Sequence, residues 1–178
     1  AYAAALARQT LGALPERADI RVSANIIKNV KSVVVPHTGG LRGIAAAAAA
    51  GIAAGDAGRE LEVLSAVEDG QLPAVKAYLE STPICVAPAD SGLIFDIQIT
   101  VEAQGHTAFV RIAGSHTNVV RVARDGETLL ERDLAQSGGP EKADRGLLTV
   151  EGIVEFADTV ELSDIKDILD RQIRLNRA

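Results

Sequence analysis

Residues able to handle a small polar molecule fall into three short clusters. The first, Ser23-Ala24-Asn25-Ile26-Ile27-Lys28-Asn29, sets two carboxamides and an amine at three- and four-residue spacing. On a helical turn Asn25, Lys28 and Asn29 share a face. With Ser23 they can hold the carboxylate and amino groups of an amino acid, because carboxamides both donate and accept while the ammonium is a cationic donor. The plainer alternative is that the asparagines satisfy turn backbone and Lys28 is solvated. The second cluster, Val35-Pro36-His37-Thr38-Gly39-Gly40-Leu41-Arg42-Gly43, leads into an alanine-rich segment. A helix start there offers free N–H groups to a carboxylate, and Gly39 and its neighbours let backbone approach closely. The alternative is an ordinary strand-to-helix turn capped by Thr38. The third, Gly114-Ser115-His116-Thr117-Asn118, breaks two apolar runs. His116 can serve there as acid, base or substrate donor, or the cluster is a tight turn whose polar groups bond the backbone.

Other chemistries find less support. Neither the G-x-G-x-x-G spacing of dinucleotide folds nor the Gly-Lys-Ser/Thr of a phosphate loop occurs. His37, His106 and His116 lack ligand spacing, so no metal ligands are assigned. His106, beside a turn, reads as solvated, and Cys85 reads as a small core hydrophobe. Ser115 adjoins His116 without the strand-turn-helix setting of a nucleophile elbow, so a hydrolase triad is unsupported.

The elements that must position these clusters are legible from periodicity. A helix over 1–13 ends at Gly12 and Pro15, and 18–23 alternates Ile20 and Val22 with Asp19 and Arg21 as a strand does. A β-branched run over 32–35 predicts a second strand, so that strands bracket the first cluster. Thr38 is the expected N-cap of a helix over 41–54 closed by Gly55. Residues 57–69 carry a helical apolar stripe, and Pro73 suits the first turn of a further helix. Over 83–133 the period becomes two, with turns at Gln104-Gly105, Gly114-Ser115 and Asp125-Gly126, which predicts an antiparallel meander. After a Ser137-Gly138-Gly139-Pro140 loop come two helices, one over 150–157 and one capped by Ser163. The expected fold is α+β, an antiparallel sheet with helices packed against it, in a single domain over 1–178. Within that domain, 1–82 is a mixed portion carrying the polar loops, 83–135 the meander and 149–178 the helices.

A chain of 178 residues buries roughly 70% of its unfolded surface, enough for a sound core without crosslinks. Twenty-four acidic residues against 18 basic ones, a net charge of −6, argue against a nucleic-acid partner. The longest apolar stretch, 43–55, is too short to span a bilayer. One cysteine cannot form an internal disulfide, which fits a cytoplasmic location. Helical composition begins at Ala1 without an initiating Met and persists to the other end, which reads as a piece of a longer polypeptide. The alanine helix offers close approach to another subunit, so a homo-oligomer is a further expectation.

In this order the clusters resemble the L-cysteine desulfidase family, a branch of the iron–sulfur L-serine dehydratase α-chain-like enzymes. SANIIKN is similar to that family's Ser-x-Asn-x-x-Lys-Asn segment and VPHTGGLRG to its Val-Pro-x-Thr-Gly-x-x-Gly loop. LEVL matches the following helix, and GSHTNVV a Gly-Gly-His-Thr-Asn segment. The likeness covers about residues 1–130, with His37 and Ser115 standing where glycines are common. It implies the amino-terminal portion of a lyase that eliminates sulfide from L-cysteine, or water from L-serine, leaving pyruvate and ammonia. A [4Fe–4S] cluster would be held by cysteines outside these residues, with none expected within them. It further implies Lys28 and His116 as catalytic groups and Ser23, Asn25, Asn29, Thr38, Gly39, Thr117 and Asn118 as substrate-binding, with the amino acid and the rest of the polypeptide as partners. The portion alone is expected to be inactive. The rival expectation is a non-catalytic module that binds a small molecule or another subunit.

Overall fold

In β1 (Arg17–Val22), the alternating segment, Ala18, Ile20 and Val22 are buried while Arg17 and Arg21 meet solvent. The computed structural model describes residues 1–134, 146 and 148–176. The chain divides into two compact units, Ala1–Gly138 and Gly139–Ala178. In the first unit β1 joins β2 (Ile84–Pro88), β3 (Asp96–Ala103), β4 (His106–Ala113), β5 (Val119–Arg124) and β6 (Glu127–Glu131) in one sheet of order β2-β1-β3-β4-β5-β6. The fold is α+β, with a mostly antiparallel sheet. The tight turns after β3 and β5 place Gln104 and Asp125 at φ 52 and 51, each followed by a positive-φ glycine. Such paired left-handed residues match the twist of the strands they join.

β2 departs from the expected meander. It runs parallel to β1, with Ala18 opposite Ile84, so the antiparallel run begins only at β3. The cause is the connection: residues 23–83 form helices that cross one sheet face, and a parallel neighbour requires such a crossover.

Among the described residues of this unit the α-helices are α1 (Tyr2–Leu11), α2 (Ala24–Val30), α3 (Gly43–Ala54) and α4 (Leu72–Ser81). α1 and α3 pack on the sheet through alanines, which join Ile20, Ile52, Ile99, Val101, Val110 and Ile112 in the main core cluster. The contact is close. A Cβ on Gly51 would lie 2.3 Å from the Ala1 carbonyl oxygen, so only glycine fits. Arg8 donates to the Ile52 and Ala53 carbonyls, satisfying acceptors at the end of α3. Tyr78 of α4 donates to the Pro15 carbonyl at 2.8 Å, and burial pushes its hydroxyl pKa up to about 12.

Three local expectations are corrected. Residues 32–35 form no strand; Val34 makes a single antiparallel bridge to Arg42, because the chain turns back after Pro36. α3 begins at Gly43 with Arg42 as N-cap, and Thr38 instead donates to the Val35 carbonyl at 2.7 Å. The helix expected over 57–69 is a 3-10 segment, Ala57–Glu62, broken at Glu60 (φ 49, ψ −110), where Asp56 accepts from the Gly58 N–H.

The second unit contains α5 (Val150–Thr159) and α6 (Leu162–Leu175). Thr149 caps α5 by accepting from the Gly152 N–H at 3.0 Å. Glu161 is the N-cap of α6, so Ser163, expected in that role, lies in its first turn. The loop expected at 137–140 lies outside the described residues.

Candidate functional site

At the end of the sheet where β1 stops and β3 starts, two of the polar clusters meet around the same three residues. The Ser23 N–H donates to the Asp96 carbonyl at 2.9 Å and its buried hydroxyl donates to the Ile94 carbonyl at 2.8 Å. Across β3, the Gly114 N–H donates to the Phe95 carbonyl at 3.0 Å, and the His116 ring lies 4.5 Å from the Phe95 ring. Because β1 and β4 flank β3, the backbones of Ser23 and Gly114 stand about 10 Å apart, two interstrand spacings. Asn118 holds this turn, its Nδ2 donating to the Ala113 carbonyl at 2.7 Å. Ser115, His116 and Thr117 are exposed.

The second cluster comes to the first through a cavity of about 510 Å³. Val22 and Ile97, opposite each other on β1 and β3, line it together with Ile26 and Val30 of α2, His37 and Ile44. The lining is largely aliphatic, as ligand pockets of this size commonly are. Among the described residues, His37 and Glu60 are the positive-φ residues outside glycines and hairpin turns, and both belong to the cavity's margins: His37 lines it and Glu60 precedes the lining residues Leu61 and Glu62. Non-glycine residues in that region are strained and persist where their surroundings fix them.

Side-chain placement divides the expected site residues. α2 turns Ile26 and Ile27 toward the core, whereas Asn25, Lys28 and Asn29 are exposed, Asn29 Nδ2 donating to Asn25 Oδ1 at 3.4 Å. Thr38 is buried, and its hydroxyl is engaged by Val35. Gly39 has φ 65 and a Cβ there would sit 3.3 Å from Leu72. Ser23 and Asn118 therefore bond the backbone of the site's own loops, while His37 and His116 stand exposed beside apolar surface.

Two minor readings are corrected. Cys85 is exposed, not core, because it lies on the edge strand β2 opposite Asp19, while its neighbour Ile84 packs against the core. His106 is not merely solvated; its Nδ1 lies 2.9 Å from Asp125 Oδ2. The Thr107 N–H, followed by His106, holds the Asp125 carboxyl below its ordinary range.

Sequence reasoning missed Asp96. Its carboxylate is 0% exposed at the start of β3 and is met by Arg111 through Nε and Nη2, each at 3.0 Å, and by Gln98 Nε2 at 2.9 Å. Burial alone raises such a carboxyl; hydrogen bonds from Arg111, Ser91 and Gln98 outweigh it and hold the pKa below the usual value. Period-two alternation does place Asp96 and Arg111 on the face opposite the core, but the cover that buries the acid leaves no pattern in the sequence.

Comparison with known proteins adds relatives of a single name. The chain is 48% identical over all 178 residues to a UPF0597 protein of Desulfitobacterium hafniense, spanning 41% of that protein. It is 40% identical over 177 residues to one from Finegoldia magna and 35% identical over 177 residues to one from Treponema denticola, spanning 42% and 41% of them. The chain is similar to UPF0597 proteins along its whole length. It spans about two-fifths of the length of these curated relatives. No family model matches it, and no solved structure does.

These relatives correct the resemblance drawn from the clusters. They are named UPF0597 proteins and not L-cysteine desulfidases or L-serine dehydratases, so the assignment as an amino-terminal piece of an iron–sulfur lyase falls. Among the described residues no three His, Cys, Asp or Glu side chains gather as a metal-holding group. No described helix is long and apolar enough to cross a membrane.

Proposed function

We propose that this chain binds a small metabolite, its apolar portion in the aliphatic cavity and its polar head at the rim. An amino acid is the ligand class this reading favours. The supporting observation is the cavity itself, about 510 Å³, with His37 in its lining and the Ser23 and His116 clusters meeting at the adjoining end of the sheet. A ligand there gains from burying apolar surface, at about 25 cal/mol per Å². Its charged group stays near water, where His37 in the cavity lining can reach it. On this reading the protein acts in the cytoplasm, which its lone, exposed Cys85 suits.

Calorimetric titration with a panel of amino acids and short aliphatic carboxylates tests this. Binding is expected for at least one compound and should be lost in Ala47→Trp, whose indole occupies the cavity. His37→Ala should weaken binding several-fold without unfolding the chain. Binding that survives Ala47→Trp, or no binding from the panel, ends the proposal.

A further inference from the structure

The sheet face opposite α1 and α3 concentrates positive charge in a single row. Strand alternation sends Arg21, Gln98, Arg111 and Arg121 to that face, because their neighbours Ile20, Val22, Ile99, Val110 and Ile112 point into the core. The register then aligns them: Arg21 stands opposite Gln98, Gln98 opposite Arg111, and Arg111 opposite Arg121. Three guanidinium-bearing residues thus share one line across β1, β3, β4 and β5, within about 14 Å, three interstrand spacings. Like charges directly opposite on neighbouring strands work against pairing. The row is stabilised by an anion laid across it.

The acids of this face do not serve as that anion. Asp96 is taken by Arg111, at 3.0 Å from both Nε and Nη2. Asp19 is taken by Arg17 at 2.8 Å, and Glu102 stands opposite Arg17 in the register. Arg21 is exposed and enters no ion pair among the described residues. Arg121 is exposed too; it lies over the Phe109 ring, 5.7 Å from the centroid, and forms no ion pair with Glu131, its neighbour at the sheet edge. Asp96 therefore neutralises and fixes the middle cation and leaves two free ones flanking it. Two hollows on this face, of about 350 and 240 Å³, both include Thr100 in their lining; Arg17 and Arg21 line the first, Phe109 and Arg121 the second.

We infer that this row binds the phosphate dianion of a small phosphomonoester, with Arg21 and Arg121 closing on it over Gln98 and Arg111 and the organic part in the hollow beside Phe109. Guanidinium groups suit phosphate because they present paired donors to its oxygens, and a dianion matches two free cations where a monoanion matches one. The site is separate from the aliphatic cavity, whose lining residues Ile20, Val22, Ile97 and Ile99 belong to the other face of the sheet.

Calorimetric titration of the 178-residue chain with phenyl phosphate tests this. Binding is expected, and phenyl sulfate, of the same shape with one charge fewer, should bind about tenfold more weakly. Inorganic phosphate, without the ring, should also bind more weakly. Arg21→Gln and Arg121→Gln should each cost about tenfold with unchanged circular dichroism, whereas Arg124→Gln, an equal loss of charge on β5 outside the row, should cost less than about twofold. Ala47→Trp, which fills the aliphatic cavity, should leave phenyl phosphate binding intact, so the two sites stand or fall separately. No binding of phenyl phosphate, equal affinity for phenyl sulfate or inorganic phosphate, or an equal loss in Arg124→Gln would overturn the inference.

Discussion

α3 and α6 are helices of similar length that solve the problem of burial in opposite ways. α3 is alanine, glycine and isoleucine on every side, and it is buried by bringing α1 and the sheet close enough for small side chains to fill the gap. α6 keeps large aliphatic residues on one stripe and charges on the rest, and within its unit the stripe meets solvent. The difference teaches that apolar content does not tell how a helix is held. α3 is nearly uniform around its axis and depends on distances that one methyl group would spoil, whereas α6 is strongly two-faced, with most of its stripe exposed among the described residues. The first unit should therefore fail through its interior, and the second should tolerate substitution as far as folding is concerned.

Substituting Arg111 strikes the first unit hardest. Arg111→Ala leaves the Asp96 carboxylate buried without its cation and should destabilise by about 3–5 kcal/mol, read by chemical denaturation. In the parent chain the carboxyl of Asp96 is held below its unfolded value, near 3.9. The stability it confers is thus present above about pH 4 and lost as pH falls through the lower folded value. In Arg111→Ala the deficit should shrink as pH drops through 4, because protonation then relieves the unpaired charge. A deficit independent of pH would mean that the pair holds the strands by packing alone.

Gly51→Val should cost about 1–3 kcal/mol or more, since the new Cβ meets backbone at 2.3 Å and α1 must move outward. Thermal denaturation measures this, and an unchanged midpoint would show that α1 is not fixed against α3. At the small end, Leu169→Ser on α6 should leave the unfolding of the first unit within about 0.5 kcal/mol of the parent, as expected of an exposed position. A larger loss would erase the contrast between the two helices.

Much of the fold can be read from periodicity. The strands of the meander, their turn residues and the first helix emerge from alternation, from Asp125-Gly126 and from Gly12, because a half-buried strand or a capped helix writes its exposure directly into residue order. What stays hidden depends on distant partners. The parallel pairing of β2 with β1 follows from where a 61-residue connection, 23–83, returns to the sheet. The helix expected over 57–69 fails at Glu60, whose backbone conformation no propensity anticipates. At the site, the structure sets Ser23 and Gly114 on either side of β3, a juxtaposition that residue type alone does not dictate. The inward turn of Ile26 on α2, which leaves Lys28 and its neighbours facing water, needs the core to be known first. Asp96 is hidden for the same reason, since an acid at the start of a strand is ordinarily solvated.

The placement of β1 between β2 and β3 has a consequence for how the molecule is assembled in time. The strands β3 to β6 are joined by short links, so their hairpins can zip early, whereas β1 must find one neighbour 61 residues onward and the other farther still. Closing such long loops is entropically slow, and chains rich in remote pairings fold late at those contacts. The residues around Ser23 are therefore expected to lock only at the last stage. A cotranslational or refolding intermediate would already display the hairpins while the sheet end around Ser23 was still unformed.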